Sequence, residues 1–309
     1  MLKVLKFGGS SMADAKQFEK VKSIVQADPS RKVVIVSAAG KRFSDDHKLT
    51  DLLYLCHAHL KYGVACDSVF DMIRSRYMEI RDELGLKTDL ESEFDALRKK
   101  MDKGISQDEL VSRGEYFAAR LMADYLGYDF LDSELWLRFK LDGTVDQEVS
   151  YEALSRAASG RRVVIPGFYG AMPDGSIKTF TRGGSDITGA LAAAALDADV
   201  YENWTDVSGF LMADPRIVKD PLPIERITYS ELRELSYIGA GAPRGHHLPR
   251  AGEEHPPEHP QHQPARASRH HDPRVLRRAG GEGGQQLHHR HRRTQGFLRH
   301  HHHQKRHEQ

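Results

Sequence analysis

The sequence predicts an α/β protein: a three-layer α/β/α sandwich built on a mostly parallel sheet, followed by a disordered C-terminal tail. Three observations lead there. Short apolar strand patterns alternate with helix patterns through residues 1–240, the arrangement that lays crossover helices on both faces of a parallel sheet. The run KVVIVSAAG at 32–40 is continuously apolar and ends in small residues, as a strand buried on both faces requires. After Ala240 the composition changes abruptly.

Residues 241–309 hold 15 of the 18 His, 7 of the 13 Pro and 12 Arg, with no Ile, Met, Tyr, Trp or Cys. With 13 Lys and Arg against 6 Asp and Glu this tail is +7, whereas the first 240 residues are −6. Its six Val, Leu and Phe residues bury too little apolar surface to offset the ordering of the chain. One globular domain over 1–240 and an unordered tail over 241–309 are therefore expected. Cys56 and Cys66 lack metal-site spacing and read as buried free thiols in a reducing compartment. No stretch resembles a signal peptide or a membrane span, so a cytoplasmic protein without a membrane partner is expected.

In chain order, Lys3–Phe7 reads as a strand and Asp14–Gln26 as a helix, followed by the 32–40 strand and a mostly helical stretch from about 48 to 126. Asp129–Asp132 and 162–168 read as strands. The Ala-rich segment 185–198 is a helix with Ser185 or Asp186 at its start, and 198–204 is the next strand. A last helix, 228–240, opens on a capping box of Ser230, Glu231 and Glu234. Such a sheet carries its site at the carboxyl ends of its strands. Lys6, Ser37, Phe168 and Trp204 all fall there.

Chemistry is most legible in KVLKFGGSS at 3–11. Lys6 is held on a strand facing a turn of Gly8, Gly9, Ser10 and Ser11. Glycines let the backbone turn sharply and let anions approach its N–H groups, and the next helix points its positive end at the same spot. This is a phosphate-handling pattern, yet neither GxxxxGK[ST] nor a GxGxxG after a strand is present. Arg182 sits in a TRGGSD turn, where its planar fork suits a carboxylate. Asp186, four residues on, suits either a helix N-cap or alignment of Lys6 or of a substrate ammonium.

Together with KFGGSS, the segments TRGGSDIT at 181–188 and WTDVSGFLMADPR at 204–216, plus SRGE at 112–115 and LTDLL at 49–53, resemble the aspartokinases of the amino-acid kinase family. The resemblance covers 1–240. It implies that family's fold, related to that of carbamate kinase, and transfer of the γ-phosphoryl of ATP to the β-carboxylate of L-aspartate. The product would be 4-phospho-L-aspartate, at the start of lysine, threonine and methionine synthesis. It further implies Lys6 and Asp186 as catalytic, and Ser37, Thr50, Glu115, Phe168, Arg182 and Ser185 as substrate-binding, with Glu115 on the α-ammonium and Arg182 on a carboxylate. ATP would meet Gly8, Gly9, Ser10, Thr205, Asp206, Leu211 and Arg216; Leu211 stands where many relatives have an aromatic. Mg²⁺ would be held mainly by ATP oxygens and water, with no protein metal site. Intact relatives imply a homo-oligomer, and no nucleic-acid partner is expected.

The resemblance stops after Ala240, where relatives continue with VLH and then an extended segment. Reading the second and third bases of each tail codon with the first base of the next permits that continuation across Gly241–Arg250 and Glu253–Asp272. The same shift turns His300–His303 into Ile/Thr positions, a strand pattern. An out-of-frame tail is therefore expected, in place of a purification tag, a metal-binding tract or a nucleic-acid-binding arm. Two competing functions are another amino-acid kinase, acting on glutamate, acetylglutamate, carbamate or UMP, and a polyanion-binding protein working through the basic tail.

Overall fold

The alternation of side chains along two central strands divides the molecule into its layers. In β1 (Lys3–Phe7) and β2 (Arg31–Val36), successive residues point to opposite faces of the sheet. Leu5, Phe7, Val34 and Val36 enter one hydrophobic core, and Val4, Val33 and Ile35 enter the other. The computed structural model describes residues 1–181, 183–205, 226–228, 275–281, 284–289 and 297–302, with side chains described as far as Trp204.

The first core is closed by α1 (Ala15–Gln26), α2 (Leu49–Lys61), α3 (Asp67–Glu83), α4 (Leu90–Asp102) and α5 (Gln107–Leu126). The chain then passes through β3 (Asp129–Phe130), α6 (Gln147–Ala158), β4 (Val163–Pro166), the short hairpin β5 (Tyr169–Ala171) and β6 (Ile177–Thr179), α7 (Gly184–Ala195) and β7 (Val200–Thr205). Helices α6 and α7 close the second core. Further on lie β8 (Arg226–Thr228), β9 (Val275–Gly281), β10 (Gly284–His289) and β11 (Phe297–His302). The main sheet runs β11-β7-β1-β2-β4-β3, and every pairing in it is parallel. Strands β10, β9 and β8 form a separate antiparallel sheet. The three-layer sandwich expected from the sequence is thus the architecture found.

Several expectations are refined. The 32–40 strand ends at Val36, where the chain leaves the sheet for a loop that ends at α2. Helix α7 starts from Gly183, not from Ser185 or Asp186; Gly183 has φ 58° and no side-chain cap. Asp186 lies inside the first turn, its carboxylate turned to Lys6. Asp14 is the N-cap of α1, accepting the Gln17 N–H at 2.9 Å. Helix α6 and the β5–β6 hairpin are additional to the sequence reading. The helix expected over 228–240 lies outside the described residues, except that Thr228 ends β8.

In the stretch read as an unordered tail, β9, β10 and β11 are the described parts. β11 pairs with β7 from Phe297↔Val200 to His302↔Thr205. An open sheet edge of unpaired N–H and C=O groups accepts any extended segment, whatever its side chains. Cys56 and Cys66 are buried free thiols, as expected, and burial pushes the Cys56 thiol up to about 12. No helix among the described residues is long and apolar enough to cross a membrane.

Candidate functional site

Lys6 shares the strand parity of Val4, so it leaves β1 on the face covered by α7. Its Nζ lies 2.9 Å from Asp186 Oδ1 in the first turn of that helix. The same Oδ1 accepts a hydrogen bond from Asn203 Nδ2 at 3.0 Å. Asn203 is the registered partner of Lys6 across the β1–β7 ladder. Lys6 and Asn203 are 7% and 4% exposed, so the ammonium is held in one orientation.

The glycine turn lies directly beyond. A Cβ on Gly8 would sit 3.8 Å from Lys6 Nζ, so the absent side chain keeps the space over the ammonium open. At Gly9 the reason is packing: an added Cβ would lie 3.0 Å from the Ala38 carbonyl. Gly40 donates its N–H to Gly9 O at 2.8 Å, and a Cβ there would fall 2.6 Å from the Gly9 carbonyl carbon. Two glycines thus press the loop after β2 onto the turn after β1. Ser10, half-buried, lies in the 3-10 turn Gly9–Met12, in which Ser11 N–H bonds Gly8 O at 3.0 Å.

Glu115 lies on the buried face of α5 and is 4% exposed. The Ala38 backbone N–H donates to its carboxylate, but Oε2 has no partner among the described residues. Burial pushes its carboxyl up to about 8, against the opposing pull of that N–H and of Arg113. A buried carboxyl with an unpaired oxygen beside the exit of β2 is a place for a cation to bind.

Ser37, directly after β2, bonds its N–H to Phe7 O at 3.2 Å and is half-buried. Thr50 is half-buried in the first turn of α2, whose start is tied to the β2 exit by Leu49 N–H to Ala39 O at 3.1 Å. Phe168 adopts φ 81°, rare for a bulky residue. It is fixed there by its N–H to Thr188 Oγ1 at 3.0 Å and by Phe180 N–H to its carbonyl at 2.9 Å. Ser185, 8% exposed, packs against Gly167, where an added Cβ would lie 2.6 Å from its own Cβ. Four strand exits, from β1, β2, β4 and β7, thereby bring these groups to one end of the sheet.

Thr205 is described as the last residue of β7, without its side chain. Arg182, Asp206, Leu211 and Arg216 lie outside the described residues. Asn203 was missed from the sequence, although an Asn in a buried central strand is itself a signal. Trp204 stacks on Phe7 with centroids 5.9 Å apart, and its Nε1 donates to Glu202 Oε2 at 3.2 Å.

The amino acid kinase family model matches residues 1–245. Aspartokinase 3 of Bacillus subtilis (strain 168) is 37% identical over 253 residues, covering 77% of this chain and 56% of that protein. Among solved structures, Clostridium acetobutylicum aspartate kinase is 50% identical with TM-score 0.73, over 77% of this chain and 55% of its own. E. coli aspartokinase III in complex with aspartate and ADP is 27% identical with TM-score 0.68, over 77% of this chain and 56% of its own. The chain thus spans little more than half the length of each of these relatives.

Proposed function

The chain belongs to the amino acid kinase family, and on that premise we propose that residues 1–240 form an aspartate kinase domain lacking its final segment. It would transfer the γ-phosphoryl of ATP to the β-carboxylate of L-aspartate. The observation that carries this reading is the Lys6–Asp186 pair held over the Gly8–Gly9 turn, together with the buried Glu115 carboxylate, whose Oε2 has no partner among the described residues.

A free carboxylate is ionised at neutral pH, so the acceptor needs no general base. The task is to bring an anion to a polyanion and to stabilise charge on the transferring group. Lys6 supplies a fixed positive charge, oriented by Asp186 and Asn203. The N–H groups of Gly8, Gly9 and Ser10 offer a cradle for phosphate oxygens. Glu115 receives the acceptor's α-ammonium, and Arg182 one of its carboxylates. Ser37, Thr50, Phe168 and Ser185 line the acceptor side, and Thr205, Asp206, Leu211 and Arg216 the nucleotide side. Asp186 is already engaged by Lys6 and Asn203, so Mg²⁺ is assigned to the nucleotide's own oxygens and water; its contribution is neutralisation of phosphate charge. A cytoplasmic location and a homo-oligomeric state extend the same reading.

Residues 241–309 are read as out of frame. The family match ending at residue 245 and the change of composition after Ala240 support this. The deciding experiment measures ADP release, with hydroxamate trapping of the acyl phosphate for the carboxylate acceptors, on a version returned to frame after Ala240 and offered L-aspartate, L-glutamate, N-acetylglutamate, carbamate and UMP. Aspartate should be used at least tenfold better than glutamate, the scale of one methylene in a fitted site. Equal yields from the two amino acids, or turnover of another acceptor alone, would sink the assignment.

A further inference from the structure

The loop from Ser37 to Lys48 carries Ser37 at its start and delivers Thr50 just past its end, yet it contains no helix or strand. Something must fix it. Its neck is closed by two backbone bonds, Gly40 N–H to Gly9 O at 2.8 Å and Leu49 N–H to Ala39 O at 3.1 Å. The body of the loop folds around one carboxylate. Asp46 Oδ2 accepts the Arg42 N–H at 2.9 Å and Arg42 Nε at 3.0 Å. From α3, Arg76 Nη2 donates to both oxygens of Asp46 at 2.7 Å, while Arg76 Nη1 donates to Gly40 O at 3.2 Å. One guanidinium therefore grips the loop at its neck and at its centre. Arg76 and Asp46 are 5% and 7% exposed.

Around this grip the loop stands off α3. A cleft of about 320 Å³ is lined by Arg42, Asp46 and His47 of the loop and by Ser68, Ser75 and Glu79 of α3, and it is bridged where Arg42 Nη1 donates to Glu79 Oε2 at 3.1 Å. The loop's position on α3 therefore depends on ion pairs more than on apolar packing, and of the two the buried Arg76–Asp46 pair outweighs the exposed, solvent-screened Arg42–Glu79 pair. A buried pair of this kind gives little net stability over an apolar replacement, but its planar fork dictates geometry. We propose that Arg76 and Asp46 are positioning residues for the acceptor: they set the loop that presents Ser37 and Thr50, and thereby govern acceptor binding without touching the acceptor. The inference rests on the acceptor-side assignment above.

The test has two arms on the full chain, with Arg76→Lys, Asp46→Asn and, should either single variant fail to fold, the double variant Asp46→Asn/Arg76→Gln. The first arm needs no ligand: amide hydrogen exchange at Gly40 and Leu49 should be about tenfold faster or more in the variants, with the core amides of α3 and α5 unchanged. In the second arm, calorimetric affinity for L-aspartate should fall about tenfold while affinity for ATP stays within about twofold. Unchanged exchange at Gly40 and Leu49 overturns the proposal for any acceptor. So does faster exchange with undiminished acceptor affinity, or a parallel loss of both affinities, which marks a structural role only. If the unaltered chain binds glutamate or another acceptor instead, the aspartate reading fails and the selective loss is read on that acceptor. If it binds none, the second arm is read on the same variants in the version returned to frame after Ala240, where a selective loss of acceptor affinity supports the proposal and undiminished affinity overturns it.

Discussion

Asp186 Oδ1 stands 2.9 Å from Lys6 Nζ and also accepts the Asn203 amide at 3.0 Å, so one carboxylate on a helix fixes the only charged side chain of β1 that points toward the glycine turn. Two neighbouring strands, β1 and β7, and the helix α7 that covers them meet at that oxygen. A strand lysine left alone would sample several rotamers; this one is aimed before any phosphate arrives. Preorganisation of this kind lets a charge act on a transition state without reorganising first.

Lys6→Met in a frame-corrected version should lower kcat by roughly 10²-fold or more, the scale of one lost electrostatic stabiliser. The sequence alone suggests no stability cost, because no core volume is removed. The ion pair changes that expectation: Asp186 loses the Lys6 ammonium while keeping Asn203, and about 1 kcal/mol of stability should go with the lost charged hydrogen bond. Single-turnover kinetics and thermal melts measure the two effects separately. Near-normal turnover would remove Lys6 from the mechanism.

Glu115 predicts a pH dependence whose sign is fixed. Its carboxyl is raised by burial from 4.5 to about 8 in the folded chain. Below pH 4.5 both folded and unfolded states hold the proton and no penalty exists. Between 4.5 and 8 the unfolded state releases it first, so this group's contribution to stability declines as pH rises and levels off above 8. Glu115→Gln should therefore melt at a higher temperature than the unaltered chain at pH 8, with the gain vanishing toward pH 4.5. An ammonium needs the ionised form, so binding of an amino-acid acceptor should release a proton below pH 8 and tighten as pH rises to that value. Calorimetry in buffers of different ionisation enthalpy reads the released proton, and a pH-independent affinity would contradict the role.

Gly40→Ala should disturb the nucleotide side from a distance in sequence. The new Cβ would meet the Gly9 carbonyl carbon at 2.6 Å and Ser10 N at 2.9 Å, and backbone cannot move aside as a flexible side chain can. Overpacking of this kind costs about 1–3 kcal/mol. The displaced Gly9 turn should weaken ATP binding more than acceptor binding, the reverse of the pattern expected for Asp46→Asn. Parallel titrations of both substrates distinguish the two variants.

What could be read from the sequence depended on whether a signal was local. The β1 and β2 patterns, the glycine turn and the Ala-rich helix each declare themselves within about ten residues, and all are present, though β2 ends four residues before the apolar run does and α7 opens earlier than read. Lys6 and Asp186 were legible as chemistry, with alignment of Lys6 among the roles open to Asp186, but not the choice among those roles, since 180 positions separate the two residues and the packing of α7 on β1 decides their meeting. Glu115 looked like any helix glutamate until burial left its Oε2 unpartnered. Arg76 and Asp46 carried no signal at all, because ordinary charged residues on a helix and a loop are usually solvated. The start of α7 was misplaced for the opposite reason: Ser185 and Asp186 are good caps by type, but Gly183 at φ 58° makes the entry and frees Asp186 for Lys6.

The tail gives the last prediction. Residues 241–309 combine a charge of +7 with six Val, Leu and Phe residues, too few apolar groups to build a core of their own. The strands assigned there include β11 along the free edge of β7, a backbone pairing that asks nothing of side chains and supplies little specificity. An out-of-frame tail should accordingly be cut by trypsin after Arg244 and Arg250 while residues 1–240 resist, and the unaltered chain should be poorly soluble and nearly inactive. Restoring the frame just after Ala240 should raise solubility, ATP affinity and aspartate-dependent turnover together, because a native segment then covers the β7 edge. The measurements are a timed digest read by mass spectrometry and the hydroxamate assay on both versions. A tail that resists trypsin as well as the domain does, or full activity without the repair, would show that residues 241–309 are a working part of the protein.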